Sequence, residues 1–596
     1  MKQGSRGFTL RATFIGLCFA TLGVCVNTYL GINFGMGISL GVIAVLVAFS
    51  LFSRSSGNES LKEVSIVYLI STSFLQAYWV LGASIYMIER FNDVVLPAWL
   101  IPPKEVILAK SLDLRYWAIP LFTLFCLQLI STGLGLIMSL VLGEDLASEE
   151  RMVFPNIAMS ASLIEACFKG GESVRRVAIA IILGLGVTLS IRLLSALTGV
   201  NLMLINLSYY LPYGSVLALS LNLGFMAMGY IISASVSLSL MASGLVLYLL
   251  LLPILSSKGM VSFSYELNEL YNSLIFGFSA SPALGMLLIG SACLSLLAML
   301  ERRLMGAKSK KELGRGFGEL YRVMWNRILR NKGLLYLVTS LLLLIFILAY
   351  VLNPLEPFPP LSSLAFVLYS VFLASFLEFV MLTKMAGETG MTMGVLGIML
   401  YDIPVFLSGY RGYSAYLALS YFRPSPWTGP SVVGLIKYKD MLGIDKSDIV
   451  KGKLIGWIPT FLLSAALTLL LWKNLGFGTS TMPSLGLLQT ALYVRMLATG
   501  SLTGGGTLDP RSFILGGLIG ALLEVLTPMS MMGLAIGLLL PPHYVTAMGI
   551  GGLVRLYTDR RYGKEYFREK GLLISTGLMA SSMIADILMS MLFAFA

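Results

Sequence analysis

The feature that most limits the fold of this chain is its succession of apolar runs, each long enough to cross a lipid bilayer. A spanning helix needs about 20 apolar residues, because only helices and closed barrels satisfy their own backbone groups in hydrocarbon. By that measure spans are expected near 12–30, 35–53, 64–88, 115–142, 175–198, 214–233, 235–256 and 281–300. More are expected near 334–353, 361–386, 391–409, 454–473, 484–500, 511–526, 530–552 and 571–594. A shorter apolar piece near 154–168 reads as a partial or re-entrant segment. The chain is 57% hydrophobic and 12% charged, about half the charge of an ordinary soluble domain. That balance excludes a disordered chain, and the unbroken runs exclude the alternating pattern of an outer-membrane barrel. The expectation is an all-α polytopic membrane protein with about 14–16 transmembrane helices in two related halves, some segments broken or re-entrant.

The net charge of +12 falls in short loops between apolar runs, where basic residues orient a membrane protein and do not mark nucleic-acid binding. Residues 301–333 hold ten Lys or Arg, from Arg302 to Lys332, against Glu301, Glu312 and Glu319. The chain therefore divides into an N-terminal transmembrane half, 1–300, a basic cytoplasmic linker, 301–333, and a C-terminal transmembrane half, 334–596. The linker has the composition of an amphipathic surface helix. The N-terminus, with Lys2, Arg6 and Arg11, and the second basic segment, 553–570, are expected inside as well, in a multi-pass protein of the cell membrane. A glycine–methionine run between apolar segments at 31–38, and again at 387–394, fits the faint echo of duplicated carrier halves and equally a chance recurrence among 60 glycines.

Enzyme chemistry finds little support. There is no GxxxxGK[ST] or HExxH run, and His543, beside Pro541 and Pro542, is the single histidine; it reads as an interfacial residue. The five cysteines lie in apolar stretches without CxxC spacing, so no metal site, cofactor or catalytic residue is expected.

Transport signals are stronger. Glycine-rich breaks in apolar runs free backbone groups, which is tolerated at membrane depth only inside protein or along a cavity. Asn27–Gly35, Ala386–Gly390 and Thr499–Thr507 have that character; close packing of small residues is the competing explanation, and for the third a simple loop. Charges inside apolar runs are Glu165, Arg192, Glu378, Asp402, Arg495, Glu524 and Asp586. Each costs about 2.5–3.5 kcal/mol at the bilayer centre on insertion scales and needs a partner or water. Carboxylates buried away from water can exchange protons in the physiological range, which makes Glu378 and Asp402 the candidates for proton coupling. Lys384 and Glu388 sit four apart and are placed to pair on a helix. The connection 409–453 mixes Tyr410, Arg411, Tyr413, Tyr421, Arg423, Trp427 and Lys437–Asp440, groups suited to a peptide-like or anionic solute and equally to an interfacial belt.

At this point the sequence resembles the oligopeptide transporter family, which includes the yellow-stripe-like metal-chelate carriers. Arg11-Ala12 followed by Asn27-Thr28-Tyr29-Leu30-Gly31 is similar to the family's opening pattern. Phe154-Pro155-Asn156 resembles its aromatic-Pro segment, and Gly229-Tyr230-Ile231-Ile232 its Gly-aromatic-Ile helix start. Pro541, Gly551-Gly552-Leu553-Val554-Arg555 and Arg560-Arg561 resemble its near-terminal motif. The resemblance spans nearly the whole chain. It implies a secondary carrier, mostly proton-coupled in the family, with Asn27, Tyr29, Gly31, Gly551, Gly552 and Arg555 at motif positions. Two stretches depart from the prokaryotic pattern, Ser160–Leu163 with Glu165 displaced, and Lys437–Gly443; they leave the coupling ion and the substrate class open.

The expected function is secondary active, proton-coupled transport of small oligopeptides by alternating access, with substrate near the midplane between the two halves. Asn27, Tyr29, Asn33, Glu388 and Arg411 are the expected substrate contacts. The partners are a small peptide or peptide-like solute, H+ and the bilayer, with no nucleic acid and with homo-oligomerisation open. A carrier of metal–chelator complexes is the alternative; a membrane-embedded enzyme or structural membrane protein is the second.

Overall fold

The computed structural model describes residues 7–34, 37, 39–52, 57–149, 151–199, 201–291, 293–294, 317–392, 397–479, 482–500 and 509–595. The expected linker residues 301–316, the triple-glycine run 504–506, Gly35 and the side chain of Asp586 lie outside the described residues. The described chain is almost wholly helical. Seven of its helices are long and apolar enough to cross a membrane: Leu10–Asn33, Leu114–Ala147, Gly171–Ser195, Ala234–Ser257, Lys332–Leu352, Pro360–Thr389 and Lys446–Leu475. The protein is an all-α, multi-pass membrane protein. A short antiparallel hairpin pairs Leu204–Asn206 with Ala218–Ser220.

The chain forms two compact units. The first comprises 1–144, 323–380 and 393–502; the second 145–322, 381–392 and 503–596. Each draws on sequence from both sides of the basic segment. In the first unit the Leu10–Phe34 helix packs on Gly57–Ser71, Lys446–Leu475 and Leu485–Ala498. In the second, Leu572–Phe595 packs on Gly171–Thr198 and Leu223–Ile231, and Ala234–Leu245 on Met531–Leu539 and Pro542–Tyr562.

Several expected spans are not continuous helices. Residues 64–88 form two helices, Gly57–Ser71 and Tyr78–Arg90, separated at 72–77. No glycine or proline marks that break; its backbone groups are satisfied by side chains of other helices. Thr460 Oγ1 accepts from Leu75 N at 3.1 Å, Ser464 Oγ from Ala77 N at 3.0 Å, and Gln128 Nε2 donates to Gln76 O at 2.5 Å. The expected span 530–552 likewise divides into Met531–Leu539 and Pro542–Tyr562, where Pro541 and Pro542 cannot continue a helix. Residues 214–233 hold a strand and the Leu223–Ile231 helix, whose start is fixed by the Asn222 side chain accepting from Gly224 N and Phe225 N. The converse error occurs at 27–34. The first helix runs unbroken to Phe34, so Asn27, Tyr29, Gly31 and Asn33 lie on a helix, and Gly31 admits the ring of Tyr78 where a Cβ would collide. The second glycine-rich stretch is a helix end. Thr389 closes the helix, and Gly390 follows at φ +75°, a conformation side chains resist.

Residues 317–330 form the amphipathic helix the basic segment suggested. Leu320, Met324 and Ile328 are buried along one face, spaced four apart as one helical stripe, and Arg327 donates to the Val141 carbonyl.

Candidate functional site

Two polar clusters are set in otherwise apolar helices, one in each unit. In the first unit, Glu378 lies on the Pro360–Thr389 helix at 1% exposure. Arg423 Nη1 meets its Oε1 at 2.5 Å. The guanidinium also sits 5.0 Å from the centre of the Tyr401 ring. It occupies the open face of Gly397, where any side chain would displace it. Asp402 ends a π-helical turn, Ile398–Asp402, a distortion that widens a helix and recurs at functional sites. Its Oδ2 accepts from Tyr493 Oη at 2.8 Å. Tyr369 Oη donates to Leu400 O at 2.9 Å and Ser370 Oγ to Phe422 O at 3.0 Å, pinning both the π-turn and the arginine's turn to the Glu378 helix. Of the two carboxylates, Glu378 has the guanidinium as its ion-pair partner, and Asp402 has a hydroxyl and no ion pair among the described residues. A buried pair can be close to neutral in net stability, but an extra buried charge is costly, so the second carboxylate calls for a proton or a cation.

In the second unit, Glu388 is 8% exposed and its Oε2 accepts from Ser530 Oγ at 3.0 Å. Ser530 also caps the Met531–Leu539 helix by accepting from Gly533 N at 3.2 Å. Lys384 does not pair with Glu388 as its spacing suggested; Glu149 of the neighbouring segment, at 3.4 Å, takes it. Arg151 pairs with Glu524 at 2.5 Å, and Glu524 Oε2 accepts from Met531 N at 2.9 Å.

The other expected residues are dispersed. Asn27, buried, donates to Gly23 O at 2.8 Å on its own helix. Asn33, buried, accepts from Ser484 N at 3.2 Å, and Tyr29 is partly buried. Arg411 is exposed; its Nη1 donates to Phe406 O and Tyr410 O at 3.0 and 2.8 Å, and its guanidinium lies 4.2 Å from the Phe406 ring centre. Of the remaining charges, Glu165 pairs with Lys169 at 2.7 Å and Arg495 with Asp93 at 3.4 Å. In the connecting loops, Tyr413 Oη donates to Asp93 Oδ2 at 2.8 Å. That bond first, then a backbone hydrogen bond and, least, nearby Arg495 hold the Asp93 carboxyl below its usual range.

The near-terminal motif is architectural. Gly551 faces Met226 O and Tyr230 N with no room for a Cβ, and Gly552 faces Ser237. Arg555 donates to Asp559 at 2.8 Å and to Tyr230 O at 3.2 Å, with its guanidinium over the Phe567 ring.

Sequence reasoning named Arg423 only as part of an aromatic connection, and missed Lys453 altogether. Lys453 stands one residue before the expected span 454–473, yet the helix begins at Lys446, which places this lysine inside it at 3% exposure. The signal was the small-residue repeat Gly452, Gly456, Thr460, Ser464, a stripe that admits a close neighbour.

A search of curated proteins returned no match. A family profile described as OPT oligopeptide transporter protein matches residues 7–593. With its apolar helices and a match over nearly its whole length, the chain belongs to the OPT oligopeptide transporter family.

Proposed function

We propose that this protein is a secondary active transporter in the cell membrane that carries small oligopeptides by alternating access, driven by proton entry. The observation that carries the reading is a pair of carboxylates on apolar helices, Glu378 matched by Arg423 and Asp402 bonded only by the Tyr493 hydroxyl among the described residues. Glu378 is held by the arginine and sets its position. Asp402, held by the neutral hydroxyl of Tyr493, is the group that takes up and gives up the proton. A buried carboxylate that is neutral when protonated crosses between states at lower cost than a bare charge. Glu378 contributes by keeping the arginine from neutralising Asp402 outright. Asn27, Tyr29, Asn33, Glu388 and Arg411 are the proposed substrate contacts. The N-terminus and the basic segment 301–333 are assigned to the cytoplasmic side, as their lysines and arginines favour.

Purified protein in liposomes, given labelled di- to pentapeptides with and without an inward proton gradient, tests this reading. Gradient-dependent accumulation supports it. Uptake of a metal–chelator complex, with none of any peptide, replaces the substrate and leaves the carrier.

A further inference from the structure

We propose that Lys453 is a second proton-exchanging group, an amine that serves as the built-in cation of the helix break at 72–77. Lys453 Nζ lies 3.4 Å from Thr72 O and 3.5 Å from Ser431 Oγ. Thr72 O belongs to the end of the Gly57–Ser71 helix, where free carbonyls carry partial negative charge and favour a cation. The small-residue stripe brings the lysine there: a Cβ on Gly452 would lie 3.0 Å from Leu69 Cβ, and Gly456 abuts Ser73. Thr460 and Ser464 continue the contact by bonding the amides of Leu75 and Ala77.

No carboxylate pairs with Lys453 among the described residues. The charged groups of the packed helices are committed elsewhere. Asp448 is bound to Lys62 at 3.0 Å, Glu63 to Arg11 at 2.6 Å and Glu144 to Lys446 at 2.8 Å. Glu89 accepts from Trp472 Nε1 at 2.8 Å, at the far end of the same helix. The uncharged titratable groups on the packed elements are Cys18, Cys25 and Tyr29 of the Leu10–Phe34 helix, Tyr68, Tyr78, Tyr86 and Tyr438, and Cys126 of the Leu114–Ala147 helix, and Lys437 and Lys451 are the nearby cations in sequence. An ammonium out of water and without a counter-charge is costly. The oxygens around Nζ repel an incoming anion, so relief comes from losing the proton. Protonated, the amine ties the break to the Lys446–Leu475 and Thr428–Lys437 helices. Neutral, it leaves the Thr72 carbonyl more weakly held, and the break is freer to move.

This inference rests on the proton-driven reading, yet its first test does not require transport. Melting temperatures of the full-length protein in detergent are measured between about pH 6 and pH 10 for wild type, Lys453→Met and Lys453→Arg. Arg keeps its charge throughout and Met has none. The expected result is a pH-dependent inflection in the wild type that both variants lack. Ser431→Ala, which removes one acceptor of the charged form, moves that inflection to lower pH and serves if both lysine variants fail to fold. An inflection that persists unmoved in the variants, or none in the wild type, overturns the proposal. The second test is liposome uptake. Gradient stimulation falls to about onefold in both lysine variants while peptide exchange without a gradient survives, and full stimulation in both removes Lys453 from the coupling step. Absence of gradient stimulation in the wild type alone, with the inflection present, counts against the proton-driven reading and not against the protonation of Lys453.

Discussion

Arg423 Nη1 lies 2.5 Å from Oε1 of Glu378, the carboxylate buried on an apolar helix and the arginine, 13% exposed, reaching it from the connection before the Thr428–Lys437 helix. The pair leaves Asp402 with Tyr493 as its hydrogen-bond donor. That inequality between two carboxylates is the basis of the arginine prediction and of the proton-entry test.

Removing the arginine leaves Glu378 buried without its cation. Arg423→Met is expected to destabilise the protein by about 3–5 kcal/mol, the usual result of breaking a buried pair from one side. Adding Glu378→Met should restore much of the loss. A double-mutant cycle of melting in detergent measures the coupling, and additive single effects would mean that the pair contributes nothing as a pair.

Thr460 is predicted to hold the break open. Thr460→Val keeps the shape and removes the acceptor for Leu75 N. An orphaned buried amide costs about 1–3 kcal/mol. The loss should be read as faster hydrogen exchange at 72–77, with the flanking helices little changed.

The glycine motif separates packing from chemistry. Gly551→Ala forces a Cβ into Met226 O, and overpacking of this kind costs about 1–3 kcal/mol. Gly133, with open space around its Cβ direction, is the control. Gly133→Ala should stabilise by about 0.4–1 kcal/mol through the unfolded chain. Equal melting temperatures for the two variants would contradict this account of the motif.

Asp93 supplies a pH prediction outside the membrane. Its carboxyl is held below the usual range by the Tyr413 hydroxyl first, then by a backbone hydrogen bond and, least, by Arg495. A depressed carboxyl adds stability that is present above its unfolded value, about 3.9, and is lost as pH falls through its folded value. The melting difference between wild type and Asp93→Asn should therefore be constant near neutrality and vanish on acidification. Half the side chain is in water, at 48% exposure, so the difference is small. A difference that grows on acidification would reverse the sign of the argument.

Much of the fold was legible because membrane insertion writes itself into hydropathy. The continuous spans at 10–34, 114–147, 332–352 and 446–475 were each expected within a few residues, except that charged ends such as Lys446–Lys453 were trimmed by a rule that counts only apolar residues. The break at 72–77 was illegible. Nothing local causes it, and its amides are satisfied by Thr460 and Ser464, almost four hundred residues away in sequence. Asn27–Asn33 misled in the opposite direction, since Gly31 there makes room for Tyr78 and does not open the helix. Glu378 and Asp402 were visible as rare charges. The arginine that pairs with Glu378 was not, because Arg423 lies in a connection whose return to the Glu378 helix depends on tertiary contacts.

Proton movement coupled to peptide tests the central claim most directly. Liposomes containing the protein and a trapped pH-sensitive dye should acidify inside when peptide is added outside. Asp402→Asn should abolish that acidification while retaining exchange of labelled for unlabelled peptide. Peptide accumulation without proton entry, or acidification undiminished in Asp402→Asn, would contradict the account.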